Sequence, residues 1–130
     1  MFSAGGEGKM KKTIPLKKNY EFARIYKKGR FFPGRYMVIY VMRNRTGENR
    51  LGITASKKVG KSVRRNRVKR LIRENYRFYE EYIPDGLDIV FAARNTETEY
   101  GFTEIRKEMK FLLKKVRAFD EMKWDGSEKS

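Results

Sequence analysis

The sequence predicts an α+β sandwich: one central, mostly antiparallel sheet of about four strands covered by three helices. Three observations predict it. Residues 35–43 (RYMVIYVMR) and 87–93 (LDIVFAA) are short β-branched and aromatic runs of strand length. Ile105, Met109, Leu112, Leu113 and Val116 recur at helical spacing, and a second helical pattern spans residues 60–82. Turn signals, among them Asn44 to Asn49 (NRTGEN) and Pro84-Asp85-Gly86, separate these runs.

The elements follow in order. Residues 1–13, rich in Gly and Lys, form a flexible basic arm in this reading, and Met10 offers an alternative start. Residues 14–119 form one domain, which suits a chain of 130 residues. Its first helix covers residues 19–28, with Asn19 as N-cap and Gly29 just past the end. Phe22, Ile25 and Tyr26 share one face of it. A further short strand fits near Phe31 and Phe32. In the strand at 35–43, Tyr36, Val38, Tyr40 and Met42 point one way, and Met37, Ile39 and Val41 the other. Residues 50–56 (RLGITAS) read as its returning hairpin partner. The long helix has an apolar stripe of Val63, Leu71, Tyr79 and Tyr82, with Val68, Ile72 and Tyr76 beside it. A buried strand at 87–93 comes next, joined to residues 50–56 by a crossover whose generic hand is right. Thr96 and Glu99 have capping-box spacing before the last helix. The tail, residues 120–130, is polar and expected to fray.

The chain carries 32 Lys and Arg against 16 Asp and Glu, a net charge of +16. That excess self-repels in a compact domain unless a polyanion offsets it. There is no Cys and no His. This excludes disulfides, Cys- or His-ligated metals and histidine-based acid–base cleavage. No apolar run approaches the ~20 residues of a membrane-spanning helix, and the first residues lack the apolar middle of a signal peptide. The expectation is a cytoplasmic protein without a membrane partner.

Charge is concentrated. Residues 57–73 (KKVGKSVRRNRVKRLIR) hold nine basic residues and no acid; the first acid is Glu74. A solvated helix face would normally balance its cations with acids at i, i+4, since like pairs there cost a few tenths of a kcal/mol. A phosphate backbone explains the run better. An amphipathic membrane helix is the runner-up, weakened because the apolar positions are needed for the core. Asn66, between Arg65 and Arg67, suits a base edge or a ribose hydroxyl, and the turn at Gly60 frees backbone N–H groups for a phosphate.

The aromatics form a second constellation. Phe22 and Tyr26 lie one helical turn apart, and Tyr36 and Tyr40 share a strand face. Core packing and a stacking platform for unpaired bases are both open to them. Lys17, Lys18, Arg24, Lys27 and Arg35 surround them. A metal nuclease needs clustered carboxylates. Asp85, Asp88, Glu80 and Glu81 make no convincing cluster, so a self-sufficient nuclease is disfavoured.

With these residues in view, residues 50–74 (RLGITASKKVGKSVRRNRVKRLIRE) closely resemble the signature region of the bacterial ribonuclease P protein subunit. LKKNYEFARIYKKGR (16–30) is similar to that family's first helix, and PDGLDIVFAAR to its later strand. Linked motifs in one order are more specific than any single pattern. The resemblance implies a left-handed crossover, against the generic hand. It implies a catalytic RNA as partner, with precursor tRNA as substrate. That RNA would carry the active site and the Mg²⁺, leaving no catalytic residue, metal site or organic cofactor on the protein. It places catalytic-RNA contacts at Ser56, Lys57, Lys58, Arg64, Arg65, Asn66, Arg67, Lys69, Arg70 and Arg73. It places precursor-tRNA leader contacts in a cleft at Phe22, Tyr26 and Tyr40, with Tyr36, Lys17, Lys18 and Arg24 nearby. A ribosomal or RNA-chaperone type binding protein without an enzymatic partner is the alternative.

Overall fold

A computed structural model describes residues 12–128. The arm at 1–13 and the choice between Met1 and Met10 therefore lie largely outside the described residues. The elements are β1 (Thr13–Pro15), α1 (Asn19–Lys28), β2 (Arg30–Pro33), β3 (Met37–Arg43), β4 (Asn49–Thr54), α2 (Ser62–Tyr79), β5 (Leu87–Ala93), α3 (Phe102–Lys115) and α4 (Glu121–Glu128). Single 3₁₀ turns precede and follow α2, at Lys57–Val59 and Glu80–Tyr82. The mixed α+β class is as the sequence predicts.

The strand order is β1-β4-β5-β3-β2. This corrects the expected sheet in two ways. It has five strands, with two parallel pairings (β1 with β4, β4 with β5) and two antiparallel ones (β5 with β3, β3 with β2). And β3 with β4 is not a hairpin, because β5 lies between them. The physical reason is burial. Ile89, Val90 and Phe91 are fully buried from both sides of the sheet, which suits the central position in a mixed sheet. The Asn49 side-chain oxygen accepts the Leu87 N–H at 2.9 Å, tying the start of β4 to the start of β5.

The pleat sends alternate residues to two layers. Met37, Ile39, Val41, Leu51, Ile89 and Phe91 face the main core under α2 and α3, with Val68, Ile72, Tyr76, Ile105, Met109, Leu112 and Leu113. On the opposite face, α1 lays Ile25 and Phe22 on Val90, Tyr40 and Met42, with Leu16 beside them. Helix α1 covers the expected residues, but its cap is Lys18 rather than Asn19, and the Glu21 carboxylate accepts the Lys18 N–H at 3.3 Å. Gly29 ends it in extended conformation; a Cβ there would sit 2.7 Å from Ile25 O and 2.9 Å from Val41 O, so close approach demands glycine.

Three more expectations change. Val63 is 80% exposed and is no part of the core stripe. Thr96 and Glu99 stay in the connection before α3, whose cap is Gly101. Beyond residue 120 a further helix, α4, runs to Glu128, and Trp124 packs 5.0 Å from Tyr82 and 5.7 Å from Phe119 between ring centroids. One tryptophan with enough apolar area outweighs a polar composition.

Candidate nucleic-acid interface

At 3.6 residues per turn, one side of α2 carries Val68, Leu71, Ile72, Asn75 and Tyr76 into the core. Asn66, Arg70 and Arg73 fall on the opposite side, and Arg77 extends that ridge by one turn. Arg77 escaped the sequence reading because it lies beyond Glu74, although the i, i+4 step from Arg73 was its signal. Asn66 and Arg70 are exposed, while Arg73 and Lys69 are partly covered.

Not every arginine of the run is free to meet a ligand. Arg64 donates to the carbonyls of Val59, Thr96 (2.8 Å) and Thr98 (3.2 Å), and its guanidinium lies 4.6 Å from the Tyr100 ring centroid. Arg67 donates to Tyr100 O at 3.0 Å. These two pin the connection between β5 and α3 against α2. Gly60, with φ 142°, makes room for the Arg64 stem, which would lie 3.0 Å from a Cβ placed there. Arg65 donates to the Ser62 hydroxyl at 3.3 Å, and its Nε is buried without a partner. Ser56, Lys57 and Lys58 are exposed on the turn leading into the helix.

The second part of the site is the sheet face that α1 leaves partly open. Tyr26 packs edge-on to Tyr40 (4.8 Å), Phe31 stacks beside Tyr40 (5.8 Å, 28°), and Phe22 lies 6.4 Å from Tyr26. The register explains the cluster, since Phe31 pairs with Tyr40 and Tyr40 with Val90. Phe31 is 60% exposed and Tyr26 40%. Sequence reasoning assigned Phe31 only to a strand; alternation from Gly29 would have placed it on the Tyr40 face. Gly52 lets Phe22 lie flat on the sheet, because a Cβ on Gly52 would come 2.3 Å from the Phe22 ring. The Tyr26 hydroxyl meets the Thr54 hydroxyl at 3.3 Å. Val38, Ala92 and Thr54 continue this face beyond α1, by register. From Thr54 the chain runs through Ala55 to Ser56, Lys57 and Lys58, so the aromatic face leads to the basic turn.

Tyr36 does not join this group. It precedes β3, where strand alternation no longer applies, and turns into the main core beside Tyr100 at 6.2 Å. Its position is held by Glu108 of α3, whose carboxylate accepts the backbone N–H groups of Arg35 (2.6 Å), Tyr36 (2.9 Å) and Met37 (3.0 Å). Lys17 and Lys18 are exposed ahead of α1.

Arg24 belongs to a polar cluster at the other end of the same face. It lies 3.8 Å from Asp88, which is fully buried. Arg50 grips Asp88 with Nε (2.8 Å) and a terminal nitrogen (2.7 Å) and reaches Glu21 at 2.8 Å; Asn44 adds a bond at 2.8 Å. Burial pushes the Asp88 carboxyl upward. Hydrogen bonds from Arg50 and Asn44, with the charges of Arg50 and Arg24, more than offset it and hold it below its ordinary value. The cluster anchors α1 to β4 and β5.

Chemically, the chain offers a cationic, acid-poor ridge and a half-open aromatic face joined by a basic turn. Among the described residues, no group of three His, Cys, Asp or Glu is placed to hold a metal ion. No helix among them is long and apolar enough to cross a membrane.

Comparison with known proteins gives one answer. The family model described as Ribonuclease P matches residues 10–117. The ribonuclease P protein component of Clostridium kluyveri is 47% identical over 103 residues, covering 78% of this chain and 92% of that one. That of Clostridioides difficile is 46% identical over 106 residues, covering 81% and 93%. Among solved structures, the Staphylococcus aureus RNase P protein superposes with a TM-score of 0.74 at 38% identity, covering 81% and 96%. The Thermotoga maritima protein gives 0.71 at 33%, covering 78% and 96%. With the signature helix, the sheet and the family model agreeing over most of its length, the chain belongs to the ribonuclease P protein family.

Proposed function

We propose that this chain is the RNA-binding protein component of ribonuclease P, working in the cytoplasm beside a catalytic RNA that removes the 5′ leader of precursor tRNA. The observation that carries the reading is the presence of two dissimilar surfaces in one domain, the cationic ridge of α2 and the aromatic face of the sheet beside α1. An acid-poor ridge of cations suits a folded RNA's phosphates. A half-exposed aromatic face suits unstacked bases of a single strand. A general RNA-chaperone needs only the first.

In this reading Asn66, Lys69, Arg70 and Arg73, with Ser56, Lys57 and Lys58, meet the catalytic RNA. Arg64, Arg65 and Arg67 contribute charge while holding the loop and helix that shape the surface. Phe22, Tyr26, Tyr40 and Phe31 hold the leader, and Lys17, Lys18 and Arg24 add charge around it. Mg²⁺ and the cleavage chemistry are assigned to the RNA, following the family resemblance of residues 50–74. The protein's work is to bind and orient.

The test is reconstitution. The chain is mixed with a bacterial ribonuclease P RNA and precursor tRNA at low Mg²⁺. Leader removal requiring both components is the expected result. Cleavage by the protein alone would make it a nuclease in its own right, and no gain over RNA alone would favour a binding protein without an enzymatic partner.

A further inference from the structure

At the end of the sheet where β2 and β5 begin and β3 ends, a hollow of about 530 Å³ opens between the strands and the turn after α3. Arg30, Arg43 and Arg117 line it, together with Asn44 and one acid, Asp85. Among the described residues, none of the three guanidinium groups makes a hydrogen bond or ion pair, and Asp85 pairs with none of them. Three unpaired cations around one hollow repel each other.

Arg117 adds an independent observation. It has φ 61° and is the only non-glycine with positive φ among the described residues. It stands where a helix C-terminus usually places glycine: its N–H bonds Lys114 O at 3.1 Å, and Ala118 N–H bonds Leu113 O at 2.8 Å. Glycine would close the same turn without strain. The arginine instead accepts a left-handed backbone, and the turn sets it on the hollow with Arg30 and Arg43. Backbone strain of this kind is held where the side chain has a use.

We infer that Arg30, Arg43 and Arg117 form a phosphate-binding site for the backbone of an RNA strand, separate from the α2 ridge and the aromatic face. Guanidinium groups bind phosphate oxygens in bidentate fashion, and the hollow has room for a phosphate with its flanking sugar. The RNA source rests on the function proposed above.

The test uses the full chain and two probes. With inorganic phosphate, calorimetric titration compares the native chain with R117G, R43A/R117G and K107A, the last removing one exposed charge of α3. R117G relieves the backbone, so its melting temperature should hold or rise, which keeps folding out of the result. The expected outcome is at least a fivefold loss of phosphate affinity in R43A/R117G beyond the loss in K107A. With bacterial ribonuclease P RNA, alone and with precursor tRNA, the log–log salt slope of binding should become shallower in R43A/R117G by about 0.7–0.9 per arginine. Unchanged phosphate binding overturns the site. Lost phosphate binding with an unchanged RNA slope means that it takes free phosphate only, and overturns the RNA assignment. Failure of the native chain to bind this RNA overturns the proposed function and this assignment together. Native binding with an unaltered variant overturns this assignment alone.

Discussion

Arg50 closes a two-point hydrogen bond on Asp88, and Asp88 has no exposed surface. The pair joins β4 to β5 directly opposite each other in register, and through Glu21 it joins both to α1. The aromatic face is built on α1, so the pair sets its geometry. Asp88→Ala removes two hydrogen bonds to the Arg50 guanidinium and leaves Glu21 as its carboxylate partner; it should cost about 1.5–3 kcal/mol, the scale for hydrogen bonds to charged groups, measured by urea unfolding. The pH dependence has a definite sign. The folded carboxyl titrates below its ordinary 3.8, so the stability it contributes is full above about that pH. It is lost as pH falls through the lower folded value. The acid limb of the stability curve should flatten in Asp88→Asn; an unchanged limb would mean that other carboxylates govern it.

Phe31 separates stacking from packing. With most of its surface exposed, Phe31→Ala should change unfolding free energy by less than about 1 kcal/mol. It should weaken precursor tRNA binding by about 1–3 kcal/mol, the range for one stacked base, and leave mature tRNA binding unaltered. Equal losses on both tRNAs would count against a leader role for this face.

Gly52→Ala tests the seat of Phe22. The new methyl would collide with the ring, and overpacking of this kind costs about 1–3 kcal/mol. The ring must lift from the sheet, so discrimination between precursor and mature tRNA should fall in the fraction that remains folded. Thermal melts and paired filter-binding curves read the two effects separately.

Arg70 and Arg64 should part company although both lie in the basic run. Arg70→Ala should leave stability within about 0.5 kcal/mol and make the salt slope of catalytic-RNA binding shallower by about 0.9. Arg64→Ala removes donors from the carbonyls of Val59, Thr96 and Thr98. It should cost about 1–3 kcal/mol of stability, read as a lower urea midpoint. Similar midpoints for both variants would mean that the Arg64 contacts do not hold the loop before α3.

The sequence by itself determined most of the elements, though not β1 or α4, and the chemistry. The helix at Asn19–Lys28, the strand at Leu87–Ala93 and the stripe from Ile105 to Val116 are local periodicities, and local backbone geometry converts them directly into faces. The acid-free run around Asn66 is likewise a property of composition along one helix. Tertiary structure alone decided who stands beside whom. The turn at Asn44 to Asn49 has the chemistry of a hairpin, yet β5 enters between the strands it joins, because the most apolar strand gains most from having neighbours on both edges and layers on both faces. Trp124 draws a polar tail onto the core for a similar reason. The same three-dimensional choice divides residues that look alike in the chain. Arg64 holds a loop while Arg70 faces solvent, and Tyr36 is buried while Tyr40 lies beneath Phe31 and Tyr26. In each case the partner that decides the outcome comes from an element distant in sequence, which no local pattern encodes.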